Sequence, residues 1–100
     1  MRIFLNKFGN MLISRQTGKE ALAAFQPTLK ELSIGENLEL DFDGVITFSP
    51  SWGDEFLMPL FEQLENRFIL LPTDNPSVLA TIELLEKIGK KKFNFIQNEK

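Results

Sequence analysis

Polar and apolar residues alternate most cleanly in Glu36-Asn37-Leu38-Glu39-Leu40-Asp41-Phe42, which sets Leu38, Leu40 and Phe42 on one side. A period of two predicts a half-buried strand. Arg67-Phe68-Ile69-Leu70-Leu71-Pro72 lacks that alternation and reads as a central strand covered on both faces. Near the start, Arg2 to Phe8 and Met11-Leu12-Ile13 carry bulky apolar residues typical of strands. Between them Gly9-Asn10 suits the positive backbone angles of a tight turn, so an N-terminal hairpin is expected. Lys92-Phe93-Asn94-Phe95-Ile96 alternates again, as a last, edge strand that the preceding lysines guard against edge-to-edge pairing.

Helical spacing fills the intervals. Thr17-Gly18-Lys19-Glu20 has the form of a capping box, and Leu22, Phe25, Leu29 and Leu32 follow on one face. Pro27 lies among them and predicts a kink or a break. Ser51 to Leu64 is a second helix with Phe56, Leu60, Phe61 and Leu64 turned to the sheet. Its interior Pro59 costs about 3 kcal/mol or more relative to alanine and frees the carbonyl of Glu55, so a bend is expected. Asn75-Pro76 starts a third helix, Val78, Ile82 and Leu85 form its apolar stripe, and Gly89 ends it. Strand-helix-strand units imply parallel neighbours with right-handed crossovers. The fold class is α/β: one domain over residues 1–100, with a mixed, mostly parallel sheet, the N-terminal hairpin, and helices mainly on one face.

Composition narrows the function more than the fold. The chain has 100 residues, 43% hydrophobic and 25% charged, within the range of an ordinary soluble domain. Cysteine, histidine and tyrosine are absent, which removes disulfides, thiolate or imidazole metal sites, and Ser-His catalysis within the chain. A formal charge of -3 disfavours nucleic acid and anionic membranes as partners. Lys90-Lys91-Lys92 suit the negative end of a helix dipole and are read as solvated. No apolar run approaches the roughly 20 residues that span a bilayer, and the N-terminus lacks the form of a signal peptide, so a cytoplasmic protein is expected.

The segment that gathers chemistry is Asp41 to Phe56, where a strand runs through a serine-flanked loop into a helix. Ser51 and Asp54 have capping-box spacing, which makes Ser51 the helix cap and leaves Asp54 and Glu55 to oppose any anion. Trp52 then falls at the first helical position, where it is either an exposed interface anchor or a cover on the core, while Phe48 leans toward the core. Asp41, Asp43, Asp54 and Glu55 lack the spacing of a magnesium or calcium loop and are read as solvated acids. Gly44 and Gly53 lack the neighbours of a phosphate-binding motif, and no cofactor is expected.

The element order, together with Asp41-Phe42-Asp43-Gly44-Val45, Ser49-Pro50-Ser51-Trp52-Gly53-Asp54-Glu55-Phe56 and Asn75-Pro76-Ser77-Val78, resembles STAS-like domains of unassigned function. It is more distantly similar to the STAS domains of anti-sigma factor antagonists. The likeness covers nearly the whole chain, except that STAS domains usually add a final helix, which is not expected here. In the antagonists the loop reads Asp-Ser-Ser-Gly and its first serine is phosphorylated by a partner kinase. Ungapped matching puts Ser49, Pro50, Ser51 and Trp52 on those positions, so proline takes the acceptor place and Ser49 or Ser51 is left as the phosphorylation candidate.

The resemblance implies a non-enzymatic regulatory or adaptor module whose protein partner, by analogy, is a histidine-kinase-like ATPase. Docking is expected on Phe48, Ser49, Pro50, Ser51, Trp52, Gly53, Asp54 and Glu55, with Pro72 to Pro76 alongside, because α/β sheets place binding sites at the carboxyl ends of their strands. The alternative is a small-ligand or nucleotide sensor using the same loop. An interface requires an exposed Trp52 on a convex surface, whereas a sensor requires Ser49 and Ser51 to point into a pocket.

Overall fold

The computed structural model describes residues 1–96 of the chain. Strands β1 (Arg2–Phe4), β3 (Leu38–Asp41), β5 (Phe68–Leu70) and β6 (Asn94–Phe95) form one sheet in the order β1-β3-β5-β6, with every pairing parallel. Strands β2 (Met11–Leu12) and β4 (Thr47–Phe48) form a separate parallel pair. Helices α1 (Arg15–Leu29), α2 (Pro50–Leu64) and α3 (Pro76–Gly89) fill the crossovers. The α/β domain and its two central strands, β3 and β5, are as the residue pattern predicts. The expectation that no helix follows the last strand falls on residues 97–100, outside those described.

The N-terminal hairpin is corrected, and with it the mixed sheet. After β1 the chain enters a 3-10 turn at Leu5–Phe8, whose end is closed by the Gly9 amide donating to the Asn6 carbonyl at 3.0 Å. Leu5 and Phe8, three residues apart, share one side of that turn; Leu5 is fully buried and Phe8 packs at 5.2 Å from Phe56. The apolar run therefore divides its side chains between a strand and a turn. It then delivers β2 to β4 rather than back to β1.

One face of the main sheet is closed. Ile3, Leu38, Leu40, Phe68 and Leu70 turn inward from successive strands and are buried, while Arg2, Phe4, Glu39, Asp41 and Ile69 alternate to the other side with partial or full exposure. Ile69 corrects the reading of β5 as covered on both faces. All three helices lie over the closed face, α2 between α1 and α3. Pro27 and Pro59 are both accommodated: α1 runs two residues past its proline and α2 five past its own. The cap of α1 is Ser14, not Thr17, since Ser14 Oγ accepts the Thr17 amide at 3.1 Å.

Two glycines let the helix layer close. A Cβ on Gly18 of α1 would lie 2.9 Å from the Trp52 carbonyl of α2. On Gly53 of α2 it would lie 2.8 Å from Leu85 Cδ1 of α3 and 3.2 Å from the Phe48 ring. Around these contacts Phe8, Phe25, Phe48, Trp52 and Phe56 form a continuous aromatic cluster. Phe61, Phe68 and Phe93 form a second at the other end of α2.

Candidate functional site

Asp41 to Phe56 starts at the carboxyl end of β3, passes through β4 and enters α2. The loop turns at Phe42–Val45, where the Val45 amide donates to the Phe42 carbonyl, Gly44 takes φ +84 and Asp41 Oδ1 accepts the Asp43 amide. Strand β4 is then held on two sides. The Thr47 and Ser49 amides donate to Asn10 and Leu12 carbonyls next to and in β2. On the other side the Phe48 amide donates to Ser77 Oγ at 3.0 Å, and its carbonyl accepts from Thr81 Oγ1 at 2.6 Å. Asn75 completes the clasp, donating through Nδ2 to the Val45 and Ile46 carbonyls while its Oδ1 caps α3 by accepting the Ser77 and Val78 amides.

The helix cap is Ser49, which corrects the assignment to Ser51. Ser49 is extended at φ -98 and accepts the Trp52 amide at 3.2 Å, and its own hydroxyl donates to the Ile13 carbonyl. Pro50 takes the first helical position, where a missing amide removes no helix bond. Trp52 moves to the third position and turns inward. At 1% exposure it belongs to the core, 4.9 Å from Phe56 and 5.9 Å from Phe48, so the exposed-anchor reading does not hold.

Of the eight residues expected to meet a partner, Phe48, Trp52 and Gly53 are buried. Ser49 spends its hydroxyl on structure. Pro50 and Asp54 are exposed, and Ser51 and Glu55 are half-buried. The two acids are not open charges either: Arg15 Nη1, at the start of α1, donates to Asp54 at 2.8 Å and to Glu55 at 2.5 Å. Those bonds, to Asp54 first, hold the Arg15 guanidinium above its ordinary pKa.

What the residue pattern misses is the apolar surface beside the loop. Leu12 and Phe48 face inward from β2 and β4, so their neighbours face out: Met11 is 57% exposed and Ile13 is 46% exposed. Ile46, whose amide donates to the Asn10 carbonyl, is 60% exposed. A sequence signal for this arrangement is Thr81, a hydroxyl on the apolar face of α3 that is buried because it bonds to β4.

Behind the loop lies a cleft of about 550 Å³ between Asp41–Val45 and Pro72–Asn75. Its charged lining is Asp41, Asp43 and Asp74; Ser49 and Ser51 do not line it. Among the described residues no group of three or more acidic side chains stands close enough to hold a metal ion, and no helix is long and apolar enough to cross a membrane. Compared with family models, characterised proteins and solved structures, the chain matches none.

Proposed function

We propose that this domain is a non-enzymatic, cytoplasmic regulatory or adaptor module that docks another protein at the carboxyl-end rim. The observation that carries the reading is the exposed apolar pair Met11 and Ile13 on the outer side of β2, with Ile46 exposed just before β4 and Pro50 exposed just after it, held on a small sheet braced from both sides. Exposed apolar residues clustered on a rigid element favour contact with a protein surface. The anchor differs from the one the tryptophan suggests. The partner would meet β2 and β4, and the first turn of α2 would border the contact. The resemblance to STAS-like domains supports the same role, and the partner it suggests is a histidine-kinase-like ATPase.

Within this reading Ser51 is the better phosphate acceptor than Ser49. A phosphate on Ser49 would end its donation to Ile13, whereas Ser51 makes no side-chain hydrogen bond with another described residue. The test is affinity capture from the native host with the wild-type chain and with Ile13→Glu and Ile46→Asp, reading bound proteins and phosphoserine by mass spectrometry. Each variant should lose a specific partner about tenfold or more while keeping the wild-type circular dichroism. A partner retained equally by both variants would refute the proposed face.

The second reading, a small-ligand sensor, is favoured by the cleft alone. Its three carboxylates suit a cationic ligand better than a nucleotide phosphate. Calorimetry with ATP, GTP and a polyamine separates these: saturable nucleotide binding would contradict that electrostatic argument, and saturable polyamine binding would support the sensor.

A further inference from the structure

Helix α3 carries Ala80, Leu84 and Ile88 at intervals of four, all exposed, with Leu84 at 41% and Ile88 at 67%. Helical geometry stacks such positions on one ridge. The inward face is formed by Val78, Thr81, Ile82 and Leu85, so the ridge takes no part in the core. Along the solvent side of the ridge run Glu83 and Lys87, both exposed and also four apart.

We propose that this ridge is a contact between two copies of the chain, antiparallel about a two-fold axis beside Leu84. Leu84 then meets the partner's Leu84, and the small Ala80 receives the partner's Ile88. The charges select this direction. Antiparallel pairing puts both charged flanks on the same side of the contact, with Glu83 of each copy beside Lys87 of the other, and the two-fold axis makes both pairs at once. Parallel pairing would carry the flanks to opposite sides, out of each other's reach.

One ridge buries less than a standard interface, so the dimer is weak, with a dissociation constant on the order of 10–100 μM. Sedimentation velocity of the full chain from about 5 μM to 1 mM should show monomer giving way to dimer. Ile88→Glu and Leu84→Glu should each weaken association about tenfold or more with unchanged thermal unfolding of the monomer. Should Leu84→Glu fail to fold, the more exposed Ile88→Glu decides. Glu83→Lys or Lys87→Glu alone should weaken the dimer about two- to fivefold, and the double reversal should restore it to within about twofold. A monomer throughout the range, a dimer indifferent to Ile88→Glu, or a double reversal no tighter than the single ones would overturn the proposal.

Discussion

Ser49 joins three segments with one hydroxyl: it caps α2, closes the end of β4 and reaches the Ile13 carbonyl beyond β2. Replacing it by alanine should cost about 1–2 kcal/mol in urea unfolding, because an N-cap and a tertiary hydrogen bond go together. Ser51→Ala should stay within about 0.5 kcal/mol, as for a surface change with no such feature. Equal losses at the two serines would return the cap to Ser51. The sequence contains both serines at plausible cap positions, and what separates them is Pro50, whose fixed φ and missing amide suit the first helical position and so place the cap one residue before it. Trp52 was open to two readings because it was weighed as the first residue of its helix, yet it lies four residues before Phe56, and that spacing sets both on the inward face with the aromatic cluster.

Among the elements, the approach of α1 to α2 depends on Gly18. Alanine there would gain about 1 kcal/mol of helix propensity, yet its Cβ would meet the Trp52 carbonyl at 2.9 Å and Trp52 Cα at 3.2 Å, backbone atoms that cannot swing aside. Overpacking of this kind costs about 1–3 kcal/mol, so Gly18→Ala should lower the melting temperature. A raised melting temperature would show that the helices can part without loss. The helices and the strand β3 were legible because long periodic runs leave one consistent face. The hairpin was not, because Gly9-Asn10 has the local chemistry of a tight turn, while the distant partners of β1 and β2 are chosen by burial of Leu5 and Leu12. The half-buried setting of Ile69 was equally hidden, since an isoleucine on the outer sheet face reads like one in a core.

At the scale of the whole molecule, Glu36 ties the edge of the sheet to its centre. Its carboxylate accepts the Ser33 amide at 2.8 Å and pairs with the Met1 ammonium at 2.9 Å, and its carbonyl accepts from Arg67 at 3.2 Å. The Ser33 amide first, and the ammonium second, hold the Glu36 carboxyl below its ordinary value of 4.5. A carboxyl with a depressed folded-state pKa stabilises above its unfolded value and loses that contribution as pH falls through the folded one. The stability difference between wild type and Glu36→Gln should therefore be largest near neutrality and close on acidification below pH 4.5, as read by urea midpoints. A difference that widens with acid would contradict this. The strand registers carry a further consequence for how the chain reaches this state. Arg2 pairs with Glu39, Met11 with Thr47, Leu38 with Phe68 and Ile69 with Asn94, so a helix separates the two strands of every pair along the chain. Each pairing must close a long loop before it gains a hydrogen bond, which places sheet formation late and sets folding in the slower range of small domains. A nascent chain that has emerged only as far as β4 holds two strand pairs with α1 alone to cover them, and must wait for α2 and α3 before the closed face is complete.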